Sequence, residues 1–296
     1  MLKRLQTIMV FVTYQHLNGN KRLTNSKPTK KRNAAKHYPQ LKIKRSMKEL
    51  ENNWIEKWES VKDKTVCPID LNTYFECEEI AGKSLTTINI GPCDLPSGNI
   101  LVRDPLVYLP YRNERPYFQK VPAGRYETEI CVIKSNDEDC DRYAAVRLRF
   151  NDKRAVRFYE ALVGKENLDE PLEVGDYFGF CVDAGLGCIC DEAVHQIYCD
   201  WDEQWRKDNP DDNPYDGYFA ELFKENYHRH PEYQRAGGDW VNWQVPGTEY
   251  HIPIFQSGFG DGTYPVYWGI DENGEICQLV IQFIDIELAY GNDDEN

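Results

Sequence analysis

Apolar residues recur along this chain with two different periods, and the change from one to the other outlines its elements. Leu50, Trp54, Ile55 and Trp58 fall at three- and four-residue steps, which predicts an opening helix over residues 48–61. Beyond it, alternating or apolar runs predict strands at 74–80, 84–90, 100–108, 124–133 and 143–150. Gly82, Gly91, Pro92, the 96–98 segment and the polar run 136–139 separate them as turns. Residues 155–163 are expected to form a short helix, because Val156, Phe158, Tyr159 and Leu162 fall near one face, and 177–182 to resume as a strand.

The period then becomes helical. Asp191 stands in N-cap position ahead of Glu192, and Val194, Ile197, Tyr198, Trp201 and Trp205 recur helically until Asn209-Pro210. A second helix is predicted after Asp216, carrying Tyr218, Phe219, Leu222, Phe223 and Tyr227 and stopped by Pro231. The acidic, proline-containing linker 206–217 between them reads as an exposed loop. Strands return at 252–255, 266–270 and 276–286.

Two segments echo each other. VPAGRYETEICVIKSNDEDCDRYAAVRLRF at 121–150 and FQSGFGDGTYPVYWGIDENG at 255–274 share Gly-x-Tyr, an extended run, a polar turn and a following alternating run that ends in Phe. They predict two related β-hairpins. If 262–283 pairs with the sheet that holds 124–150, the helical region is an insertion within one body. The expected fold class is therefore α+β: a β-rich single body, residues 47–296, with two related hairpins and a helical insertion before the C-terminal strands.

Charge divides the chain. Met1 to Lys48 holds 13 Lys or Arg and no acid, whereas Glu49 onward has 22 bases against 49 acids, a net charge of −27. Residues 1–46 read as a basic, disordered tail or as a start-site artefact ahead of Met47, where the composition changes. Such a tail could hold phosphate backbone through counterion release, while the acidic body is hostile to nucleic acid. The apolar run Ile8 to Val12 is too short to span a bilayer, and no small-residue cleavage site follows it. A cytoplasmic protein without a membrane segment is expected, with its 10 cysteines as reduced and mostly buried thiols.

Several motifs carry a resemblance. SGNILVRDPLVYL, VPAGRYETEICV, GFCVDAGLGCICD, GGDWVNW and FQSGFGDGTYPVYWGIDENG, in that order, resemble the bacterial family called domain of unknown function 4241 over about residues 47–286. The resemblance implies a soluble bacterial protein and brings no established reaction, cofactor or catalytic residue. By analogy alone, small acidic families of this kind occur as immunity or accessory proteins beside toxins.

Candidate chemistry gathers in two glycine-rich loops with carboxylates. Asp183-Ala184-Gly185-Leu186-Gly187 leads to Asp191, and Gly258-Phe259-Gly260-Asp261-Gly262 leads to Asp271. Glycines there can serve an anion nest or a ligand-facing loop, and equally an ordinary tight turn. A binding site is expected around Asp183, Gly185, Gly187, Asp239, Trp240, Ser257, Asp261, Gly262, Tyr264 and Trp268, where the two loops approach each other. Joined with Asp104, the carboxylates Asp183, Asp239 and Asp261 could form an acidic pocket for Mg²⁺ or Ca²⁺. Cys188, Cys190, His195 and Cys199, with Cys181 nearby, are candidate zinc ligands, against the reading that they are small core residues. His251 and Ser257 make no triad with any third group, and no EF-hand, GxSxG, HExxH or Walker A pattern occurs.

Dense aromatics around the loops, Trp201, Trp205, Tyr215, Tyr218, Trp240, Trp243, Tyr264, Tyr267 and Trp268, would anchor a partner if exposed and fill a core if not. Arg103 beside Asp104 could brace a sheet edge through an internal ion pair. The reading as a whole is a noncatalytic binding protein, immunity-like or regulatory, engaging a basic protein partner. No cofactor is predicted, and the alternative is a metal-dependent hydrolase using Asp183 and Asp261.

Overall fold

The computed structural model describes residues 52–135 and 141–291. The basic segment, the proposed start at Met47 and the polar turn at 136–139 lie outside them.

The opening amphipathic pattern becomes helix α1 (Asn52–Val61). Its Trp54 and Trp58 meet Phe118 edge-on, with ring centroids at 5.3 and 5.0 Å. Residues 74–80 divide into one helical turn, α2 (Thr73–Glu76), and the short strand β1 (Glu79–Ile80). A two-residue turn, Ala81-Gly82, leads into β2 (Lys83–Leu95), which runs through the Gly91-Pro92 pair expected to be a turn. It continues because a bulge forms there: Gly91 adopts φ +95°, and Asn89 Oδ1 accepts the Gly91 amide at 2.7 Å. Pro92 costs no ladder bond on this outer edge.

The next strands are β3 (Ile100–Arg103), β4 (Gly124–Ile133) and β5 (Arg142–Arg149). The helix expected over 155–163 is instead β6 (Arg157–Glu160). Phe158, Tyr159 and Glu160 are buried in succession, so their spacing reflects a strand covered on both faces. After an irregular segment come β7 (Phe180–Val182) and β8 (Leu186–Asp191), then the helices α3 (Glu192–Asp208) and α4 (Ala220–Arg229), the latter preceded by a π-turn over Tyr215–Phe219. The 206–217 linker is exposed except at half-buried Asn209 and buried Pro214, as its composition suggested. The chain closes with β9 (Trp240–Gln244), β10 (His251–Gln256), β11 (Gly262–Tyr264), β12 (Val266–Ile270), β13 (Ile276–Gln282) and a final turn of helix, α5 (Ile286–Tyr290).

The molecule is β-rich, with an antiparallel sheet of seven strands in the order β1-β2-β4-β5-β13-β12-β6. The C-terminal strands rejoin the first hairpin, since β13 pairs with β5, Leu279 opposite Leu148 and Ile281 opposite Val146. A four-stranded sheet, β3-β8-β10-β9, forms a middle layer. Ile100, Val102, Ile189, Trp240 and Phe255 join the core it shares with the large sheet, while Cys188, Cys190, Val241, Trp243, Ile252 and Ile254 pack with Val194 and Tyr198 of α3 and Phe223 of α4. Residue alternation along each strand sends neighbours into different cores.

The Gly-x-Tyr echo has a local physical basis. Tyr126 Oη donates to the Pro122 carbonyl at 2.9 Å and Tyr264 Oη to the Gly260 carbonyl at 2.7 Å, each four residues back. Each ring folds over the glycine two positions earlier, where a Cβ would stand 2.9 Å from Tyr126 and 3.5 Å from Tyr264. Both are tyrosine corners in the sense known from β-sandwiches. The copies then diverge: β4 runs on unbroken, whereas Pro265 divides β11, which pairs with β7, from β12.

Other motif residues are fasteners. Asp191 caps α3 through the Ala193 amide at 2.8 Å and holds the Ser97 and Gly98 amides at 3.0 and 2.9 Å. Any Cβ at Gly98 would lie 2.1 Å from the Val121 carbonyl oxygen. Fully buried Glu160 holds the segment before β7 by accepting the Phe178 and Gly179 amides at 2.6 and 2.8 Å. Its second oxygen has no partner among the described residues, and burial raises its pKa to about 8.

Candidate functional site

Three loops meet at one end of the four-stranded sheet: the turn after β3, the 183–185 loop before β8 and the 257–261 loop after β10. Asp104, fully buried where β3 stops, organises the first two. Its Oδ1 accepts the Leu106 and Val107 amides at 2.9 and 3.2 Å, and its Oδ2 those of Asp183 and Ala184 at 3.0 and 2.7 Å. Burial lifts this carboxyl above the ordinary range while the four amides pull the other way. Asp104 is a clamp, with its oxygens spent on backbone.

The third loop is tied to the second. Asp261 Oδ1 accepts the Gly185 amide at 2.9 Å, and the Gly185 carbonyl accepts the Ser257 amide at 3.0 Å. Gly185 adopts φ +64°, which opens this turn. β11 then pairs with β7, Gly262 opposite Val182 and Tyr264 opposite Phe180. The expected approach of the Asp183 and Asp261 loops is therefore present. Tyr108 donates its hydroxyl to Asp183 Oδ2, and burial with this bond raises the phenol pKa.

The remaining candidates divide between this rim and the interior. Ser257 is fully buried and donates to the Gly260 carbonyl at 2.7 Å, which shapes the loop. His251 lies at the opposite end of β10, where its Nδ1 meets Asp94 Oδ2 at 3.2 Å. Tyr264 and Gly262 belong to the tyrosine corner. Gly187 gives Phe255 room, since a Cβ there would lie 3.0 Å from the ring, so it is a packing glycine and no anion nest. Trp268 is fully buried and donates to Gln119 Oε1 at 2.9 Å, deep in the large core. Trp240 is buried at the start of β9.

The four carboxylates do not form one acidic pocket. Asp239 takes the Arg235 guanidinium at 2.7 and 2.9 Å and the Arg235 amide at 2.6 Å, and Asp104 is saturated by amides. Arg103 does make an ion pair at the edge strand β3, but with Glu114, at 2.5 Å, and not with Asp104.

Among the described residues, no group of three or more His, Cys, Asp or Glu gathers as a metal site. Cys188 and Cys190 share a strand face as their spacing suggested, yet both are buried in the helical core. His195 donates from Nε2 to the Leu109 carbonyl at 2.8 Å and lies 3.3 Å from Cys199 Sγ. A ring nitrogen that carries that proton cannot ligate. Burial lowers the His195 pKa and pushes Cys199 up to about 11. The nine described cysteines are free thiols, of which Cys77 and Cys181 are exposed.

Most of the aromatics around the loops pack inward. Trp201 lies 4.8 Å from Trp243 and 4.9 Å from Tyr218, and Trp243 Nε1 donates to Tyr218 Oη at 3.2 Å. The rim supplies a different apolar group. Phe259, at the tip of the 257–261 loop, is 53% exposed beside exposed Asp261. Sequence reasoning passed over Phe259 and Tyr108. The signal for Phe259 was a large apolar residue between two glycines in a polar loop.

The chain belongs to the family described as "Protein of unknown function (DUF4241)", whose model matches residues 93–281, from the end of β2 to β13. No curated protein and no solved structure matches it. No helix among the described residues is long and apolar enough to cross a membrane.

Proposed function

We propose that this protein works by binding, without turnover, and that the three-loop rim docks a basic surface of a protein partner. One observation carries the reading: Phe259 stands exposed next to Asp261 and close to the Asp183 loop. An apolar anchor with Asp261 beside it and Asp183 in the adjoining loop suits a partner that offers an apolar pocket rimmed by Lys or Arg. The charge of −27 from Glu49 onward would steer such a partner at long range. A cytoplasmic, immunity-like or regulatory role fits this chemistry, with the basic molecule as the target held in check.

The test is affinity capture from the source cell, followed by affinity measurement with the isolated partner. Wild type should retain a basic protein in stoichiometric amount, with binding that weakens as salt rises. Phe259→Asp should abolish capture, and Asp183→Asn with Asp261→Asn should weaken it, all three proteins remaining folded. Capture that survives Phe259→Asp, or turnover of a substrate by the purified chain that the two Asn changes abolish, would overturn the reading.

A further inference from the structure

Among the described residues, the outer edge of β2 is open over a short stretch. β1 covers only its start, pairing Ile80 with Lys83 and Glu79 with Ser84. The Leu85 amide still reaches the Glu78 carbonyl at 2.7 Å, which fixes the phase of the strand. Leu85, Thr87 and Asn89 turn their backbone groups outward, while Ser84, Thr86 and Ile88 turn theirs toward β4. Further on, Asn242 Nδ2 closes the edge by donating to the Pro92 carbonyl at 2.8 Å. In between, the Thr87 amide and carbonyl have no partner among the described residues, and both Thr87 and Asn89 are exposed.

A depression of about 520 Å³ lies beside this edge, lined by Phe75, Cys77, Glu78, Glu79, Thr86 and Lys134 among others. Glu78 and Glu79 are exposed and make no ion pair among the described residues, unlike neighbouring Glu76, which holds Arg154. An unpaired strand edge offers main-chain bonds to any extended segment, and side chains at alternate positions then decide which segment stays. The two carboxylates select for cations at those positions.

We propose that β2 between Leu85 and Asn89 takes an extended, lysine-rich segment of a partner protein as an added strand. Main-chain bonds form to Thr87, and alternate Lys side chains of the segment reach Glu78 and Glu79 across the depression. The edge residues 85–89 precede the stretch matched by the family model, and the depression shares no lining residue with the Phe259 rim.

The probe is a fluorescent peptide, Lys-Thr-Lys-Val-Lys-Thr-Lys, blocked at both ends, and its twin with N-methylated amides on the edge-facing residues. Anisotropy should show saturable binding of the first below about 1 mM and at least about tenfold weaker binding of the twin. Thr87→Pro should weaken the first by a similar factor while circular dichroism stays unchanged, because the Thr87 amide serves no ladder bond. The surface change Glu78→Lys with Glu79→Lys should do the same, and Phe259→Asp should leave this binding intact. Absence of saturable binding, equal affinity for the twin, or indifference to the Lys changes would overturn the proposal. So would dimerisation in sedimentation that Thr87→Pro abolishes and the peptide does not compete, since the edge would then belong to a second copy.

Discussion

Asp261 accepts the backbone amide of Gly185 at 2.9 Å, and this bond joins loops 76 residues apart in the chain. The contact is charge-assisted but exposed to solvent, so it is worth on the order of 1 kcal/mol. Asp261→Ala should lower stability by about that amount, whereas Asp261→Asn, which keeps an acceptor oxygen, should lose less. Chemical denaturation of both variants checks this, and faster hydrogen exchange at Gly185 in the Ala variant alone would localise it.

Buried Glu160 makes stability depend on pH. Its pKa rises from an ordinary 4.5 to about 8 through burial, with Glu166 and Asp176 adding to the rise. The folded chain therefore holds a proton that the unfolded chain releases above 4.5, and stability falls as pH climbs from there toward 8. The expected slope is on the order of 1 kcal/mol per pH unit from this group. Glu160→Gln keeps an acceptor for the Phe178 and Gly179 amides and should flatten that slope, as urea midpoints between about pH 5 and 9 would reveal.

The two tyrosine corners should differ in strength. Tyr264 is buried and spans the Gly260 and Ser257 carbonyls, at 2.7 and 3.2 Å, whereas half-buried Tyr126 reaches only the exposed Pro122 carbonyl. Loss of the hydroxyl therefore breaks two enclosed bonds at Tyr264 and one open bond at Tyr126, even though Ser257 Oγ still serves Gly260. Tyr264→Phe should cost roughly 1–2 kcal/mol and Tyr126→Phe under about 1. Equal losses in thermal denaturation would contradict the burial argument.

Ala81 carries φ +49° in the turn between β1 and β2, followed by Gly82 at +70°. A two-residue turn of this shape favours Asn-Gly, and an L-alanine there is strained by about 1 kcal/mol. Ala81→Asn should raise the melting temperature by a few degrees. A calorimetric scan decides it.

Strands bounded by turn residues were legible: 124–133, ahead of the polar run 136–139, and 266–270, ahead of Asp271-Glu272-Asn273-Gly274, coincide with β4 and β12. The α3 N-cap was legible because Asp191 acts within its own turn. β6 was misread as helix because burial on both faces removes alternation and leaves a spacing that also fits a helix face, and only its pairing with β12 reveals it. The zinc set failed for a related reason. Spacing places Cys188 and Cys190 on one face, but the Leu109 carbonyl that occupies His195 comes from a distant loop. The meeting of the Asp183 and Asp261 loops was anticipated from their composition, whereas the density of aromatics around them left anchor and core both open. Density does not distinguish Trp243, at 3% exposure, from Phe259, at 53%.

The pairing of β13 with β5 also bears on how the chain assembles during synthesis. β5 pairs with β4 soon after both leave the ribosome, but its other edge stays uncovered until β13 has been made. The helices α3 and α4 and three strands of the four-stranded sheet, β8, β9 and β10, emerge within that interval. Such distant pairing makes for slow closure and leaves a hydrophobic strand, carrying Val146 and Leu148, open to other chains meanwhile. Nascent chains stalled before residue 276 should therefore aggregate, and full-length ones should not.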